Sequence, residues 1–326
     1  MSRALSAASR LHGLAVRARA AGYDAGVLRT VRVPGLEVIS IGGIAAGGDG
    51  KTPLSMYVAG VLRDRGGSVA IVSRGYRGTW ERRGGVVSDG ERVLASARQG
   101  GDEAVLCARR LPGVVVVVGA DRVRAARRAR GLGARVVVLD SGFQHRRLER
   151  DLDVVALDGS RLGEAMLPEG DLREPLSALA RADLLAYHAP PPGTALPARG
   201  FAYRLVPTLL VDLDLNEVGP PTDLAGKRVL VVAGIARPER VTDAVAAMGA
   251  RVVAIERWHD HQVVGLRVRE RLARLARRSG AQLVVTTEKD AVRLMPLSGV
   301  EAVALRVEVQ LGEGATVLEE SLGRSL

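Results

Sequence analysis

The chain has 326 residues, 47% apolar and only 3% aromatic, with 47 Lys plus Arg against 36 Asp plus Glu and a formal net charge of +11. That length and apolar content can fill two compact cores and exclude a disordered or fibrous chain. The charge leaves three kinds of partner: nucleic acid, an anionic membrane or a phosphorylated substrate. Nucleic acid is disfavoured, because the chain has only nine aromatics for base stacking and no recognisable nucleic-acid-binding module. The one cysteine, Cys107, precludes an internal disulfide; it fits a reducing compartment and a buried apolar role. Only three of the cationic residues are lysines, Lys51, Lys227 and Lys289. In a chain that uses Arg by default, each Lys invites a reason.

Residues 1–30 open with an amphipathic helix. At the helical period of about 100° per residue, Ser2, Arg3, Ser6, Ser9, Arg10, Gly13 and Arg17 share one face. Leu5, Leu11, Leu14 and Val16 lie with several alanines on the other. Such a basic helix can lie in a membrane interface, or it can be a surface helix packed on its own domain; both readings stay open. No run of 18 apolar residues occurs, so a spanning helix is not expected.

From Glu37 onward, strand and helix signals alternate. Strands are expected at 37–41, 69–73, 114–119, 135–140, 154–158 and 184–188, with helices at 53–65, 103–110 and 122–130. Short β-branched runs divided by amphipathic helices predict an α/β fold with a mostly parallel sheet covered by helices on both faces. Pro190-Pro191-Pro192-Gly193 interrupts the pattern, and 201–225 reads as an extended linker. A second series follows, with strands at 229–233, 251–255 and 282–286. The expected organisation is an N-terminal helix (1–30), a nucleotide-binding domain (31–200), a linker (201–225) and a smaller C-terminal α/β domain (226–326).

The strongest local signal is the strand from Glu37 feeding the turn Gly42-Gly43-Ile44-Ala45-Ala46-Gly47-Gly48-Asp49-Gly50-Lys51-Thr52. A glycine-rich turn entering a helix presents successive backbone N–H groups to phosphate oxygens. Gly47, Gly48 and Gly50 permit close approach, Lys51 would reach the terminal phosphates of a nucleotide, and the Thr52 hydroxyl would bind Mg²⁺. Ala45 stands where the regular motif has glycine. Asp49 is out of place in an anion site unless it meets solvent or a cation. Asp140 ends an apolar strand, a position from which a carboxylate can reach a phosphate-bound Mg²⁺ or simply cap the next turn. Gly101-Asp102-Glu103 opens a helix, where acids cap favourably, so that capping is the first reading on residue chemistry alone. Trp258-His259-Asp260-His261 reads as a surface turn or as the source of a general acid or base; no third ligand at zinc spacing accompanies its histidines.

Together these segments resemble the tetraacyldisaccharide 4′-kinase family across nearly the whole chain. The resemblance is carried by the phosphate loop with Pro53, Ser73-Arg-Gly-Tyr76, Gly101-Asp-Glu103, Val118-Gly-Ala-Asp-Arg122, Gly142-Phe-Gln-His-Arg-Arg147, Leu172-Arg-Glu-Pro175, Ala233-Gly-Ile-Ala-Arg-Pro238, Asp260-His261 and Thr287-Glu-Lys-Asp290. It implies a P-loop NTPase-like core and transfer of the ATP γ-phosphate, with Mg²⁺, to the 4′-hydroxyl of a lipid A disaccharide 1-phosphate. It also implies docking at the cytoplasmic face of an anionic inner membrane as a peripheral or monotopic protein; a monomer is expected. By motif, Asp102 would take the hydroxyl proton and His261 would assist it. Asp140, with Glu103 or Glu174, would organise Mg²⁺ or substrate, and Arg173 could meet phosphate. The chain departs from the pattern at Ser141, where a second Asp is usual, at Gly43, where Asn is usual, and at Asp49, where a small polar residue is usual. Two other readings of the residues remain: a P-loop phosphotransferase with a soluble substrate, and a non-catalytic nucleotide-binding regulator.

Overall fold

The computed structural model describes residues 3–259 and 264–324. In chain order the elements are α1 (Arg3–Asp24), β1 (Glu37–Gly42), α2 (Lys51–Asp64), β2 (Val69–Ser73), β3 (Gly85–Asp89), α3 (Ala97–Gly100), α4 (Asp102–Arg110), β4 (Val115–Val118), α5 (Arg122–Gly131), β5 (Val136–Asp140), β6 (Leu152–Asp158) and β7 (Leu184–His188). The remainder are β8 (Gly200–Val211), β9 (Glu217–Gly219), β10 (Arg228–Ala233), α6 (Glu239–Ala247), β11 (Arg251–Arg257), α7 (Leu266–Ser279), β12 (Leu283–Thr287), α8 (Glu288–Ala291), β13 (Glu301–Leu311) and α9 (Ala315–Gly323).

All described strands join one sheet in the order β11-β10-β12-β13-β8-β7-β6-β1-β5-β2-β4-β3, with β9 on β8. β1 lies between β5 and β6, all parallel, which is the central, doubly covered position that an unbroken run such as Val38-Ile39-Ser40-Ile41 demands. β10, β11, β12 and β13 form a second parallel set. The halves meet at β8, which runs parallel to β7 over Gly200–Tyr203 and antiparallel to β13 over Tyr203–Val211. The stretch read as extended connection is thus built into the sheet as β8 and β9.

Alternate residues of the central strands feed cores on opposite faces. Ile39, Ile41 and Val138 pack with α2 and α4, and Val38, Val137 and Leu139 pack with α5. In the second half, Val229 and Val231 pack with α6, while Leu230 and Val232 pack with α7. A helix-covered sheet of this kind binds ligands beyond the carboxyl ends of its parallel strands, and those ends carry Gly42, Asp140 and Asp158.

α1 packs on the body of the protein by one edge and leaves much of its apolar face exposed. Ser6 and Ser9 bond to Glu169 and to the Met166 carbonyl, fixing that edge of the helix on the body of the protein. Leu11 and Leu14 on the other face are 67% and 60% exposed. No helix among the described residues is long and apolar enough to cross a membrane.

Candidate active site

β1 delivers the chain into the phosphate loop and α2 leads it away. Gly47, Gly48 and Gly50 have φ of 73°, 79° and 70°, a left-handed conformation that glycine adopts without strain. α2 starts at Lys51 with no side-chain cap at Gly50, so its first-turn N–H groups face the loop.

Asp140 stands beside this helix start at the end of β5. Its carboxylate is 1% exposed and accepts from the Thr52 and Ser55 hydroxyls, both at 3.1 Å. Burial, reinforced by the Glu103 charge, raises the Asp140 carboxyl to about 6. At neutral pH the carboxylate is therefore ionised but poorly neutralised. A hydroxyl and a carboxylate side by side form an oxygen donor set suited to Mg²⁺. No group of three or more His, Cys, Asp or Glu residues poised for a metal occurs among the described residues. Ser141 follows at φ 56°, a conformation that Asn or Asp tolerates better than Ser.

Asp102 is the first residue of α4 and is 4% exposed. Its Oδ1 accepts from the Glu103 amide at 2.9 Å. Gly101 turns the chain at φ 87°, and a Cβ there would lie 3.1 Å from the Tyr76 carbonyl, so glycine is what seats Asp102 against the Ser73–Tyr76 segment. Glu103 accepts from Lys289 Nζ at 3.0 Å, which ties the start of α4 to α8 in the second half. The neighbouring Glu288 is buried between Arg110 and Arg306, at 2.6 and 2.8 Å.

Positive charge gathers beside these acids. Arg122 is 4% exposed, donates to the Gly119 carbonyl, and is lowered to about 10 by burial and the nearby Arg74, so it keeps its charge. Burial, with Arg122 and Arg74 close by, lowers His145 to about 3 and holds it neutral. Arg173 is exposed at the rim of the cleft. Glu174 is buried, with Arg181 Nη1 at 2.9 Å and Gln144 Nε2 at 3.0 Å on its oxygens. Gln144 also donates to the Gly43 carbonyl, so the Gly142–Arg147 segment and Glu174 brace the phosphate loop from below. From the second half, Arg240 donates to the Gly48 carbonyl at 2.8 Å and pairs with Asp158 at 2.5 Å; Arg237 also pairs with Asp158, at 3.1 Å.

The phosphate loop, Asp140, Asp102, Arg122, His145 and Arg240 line one cleft of about 1200 Å³, which runs from His12 and Val16 of α1 to Val241 of α6. Of the residues singled out from sequence, Gly47, Gly48, Gly50, Lys51, Thr52, Asp102, Glu103, Asp140, Arg173 and Glu174 all reach it. His261 lies outside the described residues. Sequence reasoning missed Arg240 and gave Arg237 no role although it lies in a quoted motif, because 44 arginines leave no single one conspicuous. The signal that marks them is position: each follows a strand end.

A glycine loop at a helix start, a buried strand-end carboxylate on the loop threonine and a second buried acid in the same cleft define a P-loop phosphotransferase. The chain belongs to the Tetraacyldisaccharide-1-P 4′-kinase family, whose sequence model matches residues 1–326. It is 44% identical over 324 residues to the tetraacyldisaccharide 4′-kinase of Anaeromyxobacter dehalogenans strain 2CP-C, covering 93% of this chain and 85% of that one. The enzyme of the same name from Geobacter metallireducens is 42% identical, over 88% of this chain and 86% of its own length. Among solved structures, "apo"-form LpxK from Aquifex aeolicus in complex with ATP superposes with a TM-score of 0.82 at 30% identity, covering 99% of this chain and 98% of that chain.

Proposed function

We infer that this chain is an ATP-dependent kinase that phosphorylates the 4′-hydroxyl of a tetraacylated glucosamine disaccharide 1-phosphate in lipid A biosynthesis. The observation that carries the reading is the meeting, in one cleft, of the phosphate loop, Asp140 on Thr52, and the buried Asp102. Family membership supplies the acceptor: the relatives are named for the tetraacyldisaccharide and its 4′-position.

The loop amides and Lys51 bind the triphosphate of ATP, and Arg122 adds positive charge in the same cleft. Thr52 and Asp140, with Glu103 from α4, are the residues that would hold Mg²⁺, which supplies charge neutralisation and alignment of the transferred phosphoryl group. Asp102 accepts the proton of the sugar hydroxyl. A sugar hydroxyl is a poor nucleophile, so a positioned base is worth about 10²–10⁴ in rate. His261 is assigned to assist Asp102, on its motif alone. Arg173 takes the substrate phosphate at the cleft rim, and Glu174 serves by bracing the loop through Arg181 and Gln144. The Lys289–Glu103, Arg240–Gly48 and Arg240–Asp158 contacts cross between residues 226–326 and residues 31–200. Movement at these contacts would open and close the site and exclude water.

The membrane surface is the proposed partner of α1. The helix lies along the mouth of the cleft, with His12 and Arg19 lining it and Arg19 donating to the Gln144 carbonyl. It turns Leu5, Leu11 and Leu14 outward beside Arg10 and Arg17, an arrangement that seats a helix in an anionic interface on the cytoplasmic side. The acceptor hydroxyl would then reach the site while the acyl chains stay in the bilayer. The test is transfer of label from γ-labelled ATP to tetraacyldisaccharide 1-phosphate by the wild type, Lys51→Ala and Asp102→Asn. Transfer by the wild type and loss in both variants is expected; equal transfer by Asp102→Asn would remove the base assignment.

A further inference from the structure

The phosphate loop contains a charge arrangement that phosphate binding alone does not call for. Asp49 is 1% exposed, and its Oδ2 accepts from Lys51 Nζ at 2.9 Å. Its Oδ1 lies 3.3 Å from Arg161 Nη1. Arg161 ends the 3₁₀ turn Gly159–Arg161 that follows β6; it is 3% exposed and also donates to the Ala46 and Gly47 carbonyls and to Asp171. Lys51 Nζ has a second acceptor in the Ala45 carbonyl at 3.4 Å. The carboxylate is thus buried between two cations, and one of them is the lysine meant for phosphate.

Gly43 makes room for this arrangement. A Cβ at that position would lie 3.1 Å from Asp49 Oδ2 and 3.2 Å from Lys51 Nζ. The two loop positions that depart from the family pattern therefore face each other across the lysine. A side chain at 43 and a carboxylate at 49 compete for the same space.

We propose that Asp49 is a positioning residue that holds Lys51 in the nucleotide-free loop and competes with the phosphates of ATP for its ammonium group, while Arg161 keeps the carboxylate compensated when the lysine turns away. The proposal rests on the reading of residues 47–52 as the Mg·ATP site. A buried carboxylate stripped of its only cation is strongly destabilising, so Lys51 could not leave if Asp49 had no second partner. Arg161 is suited to that duty. Its guanidinium is fixed in place by loop carbonyls, whereas an ammonium on a flexible stem exchanges partners freely. ATP must displace a short charge-assisted hydrogen bond to engage Lys51, so the carboxylate weakens nucleotide binding and sets its affinity.

The experiment is calorimetric titration of Mg·ATP into the full chain as wild type, Asp49→Asn, Asp49→Ser, Arg161→Gln and the double variant Asp49→Asn/Arg161→Gln, with thermal unfolding and steady-state kinetics on each. Loss of one competing charge-assisted bond should lower the Kd of the Asp49 variants about tenfold. The ATP KM should fall with it, and most of the change in kcat/KM should come from KM. Arg161→Gln should weaken binding, and adding Asp49→Asn to it should restore binding to wild-type affinity or better, a rescue that a merely structural carboxylate would not give. Gly43→Asn should weaken binding alone and be tolerated with Asp49→Ser. Unchanged or weaker binding in both Asp49 variants overturns the proposal, as does failure of both to fold, because the loop must stand without the carboxylate. A wild type that binds no Mg·ATP would instead overturn the nucleotide site itself.

Discussion

Replacing Asp140 by Asn should stabilise the nucleotide-free protein while abolishing its metal-dependent chemistry. The carboxylate is 1% exposed and is held by two neutral hydroxyl donors, with Glu103 as a charged neighbour of its own sign. Its carboxyl is raised from 3.8 to about 6, so the native state binds this proton more tightly than the unfolded chain does. Stability contributed at this position is therefore greatest below pH 4 and is lost as pH rises through 6. Above pH 6 the ionised group costs about 3 kcal/mol, since each tenfold difference in proton affinity between the folded and unfolded chain is worth about 1.4 kcal/mol. Asn keeps an acceptor for one hydroxyl and carries no charge, so a net gain of about 1–3 kcal/mol is expected at pH 7.5. In a chain of this length that corresponds to a rise in melting temperature of about 2–5 °C. The assay is thermal unfolding with chelator present, at pH 7.5 and at pH 4, where the wild-type carboxyl is protonated. The gain should vanish at the lower pH. A variant less stable than wild type at pH 7.5, or equally shifted at both pH values, would refute the reasoning.

Burial and the nearby Arg240 depress His188 to about 4, so the native state resists protonation and loses stability as pH falls below 6.5. From pH 7 to 4 that loss is about 3 kcal/mol, and urea titrations of His188→Gln against wild type should show a correspondingly shallower acid branch. Asp102→Asn should lower kcat by about 10²-fold or more without weakening Mg·ATP binding, as stopped-time transfer and calorimetry would report. Leu11→Asp with Leu14→Asp should remove co-sedimentation with vesicles rich in anionic phospholipid while leaving Mg·ATP affinity intact; retained binding would dismiss the outward face of α1 as the docking surface.

The nucleotide-binding half was largely legible because its signals are local. The Val69–Ser73 and Leu184–His188 strands are continuous β-branched or leucine-rich runs of the kind that doubly covered parallel strands require, and both occur where expected. The phosphate loop announced itself through Gly47, Gly48, Gly50, Lys51 and Thr52. β8 and β13 were illegible as strands. They are long, half-exposed and antiparallel, and their polar residues, such as Arg204 and Gln310, blur any apolar run. Their pairing joins residues a hundred positions apart, which no window of sequence contains. α1 was ambiguous because the edge that packs on the body of the protein is the one with Ser6 and Ser9, while Leu11 and Leu14 stay exposed. Asp49 looked misplaced in an anion site until Arg161, 112 positions away, appeared as its second cation. Gly43 remained a departure from a pattern until the fold put it against Lys51 and Asp49; nothing in the structure explains Ser141.

The most direct test of the whole account is the position of the new phosphate. Purified protein incubated with Mg·ATP and tetraacyldisaccharide 1-phosphate should yield a bisphosphate whose second phosphomonoester, located by phosphorus–proton correlation NMR, sits on the 4′-carbon. Phosphate at any other carbon, or recovery of unmodified disaccharide from a protein that demonstrably binds Mg·ATP, would contradict it.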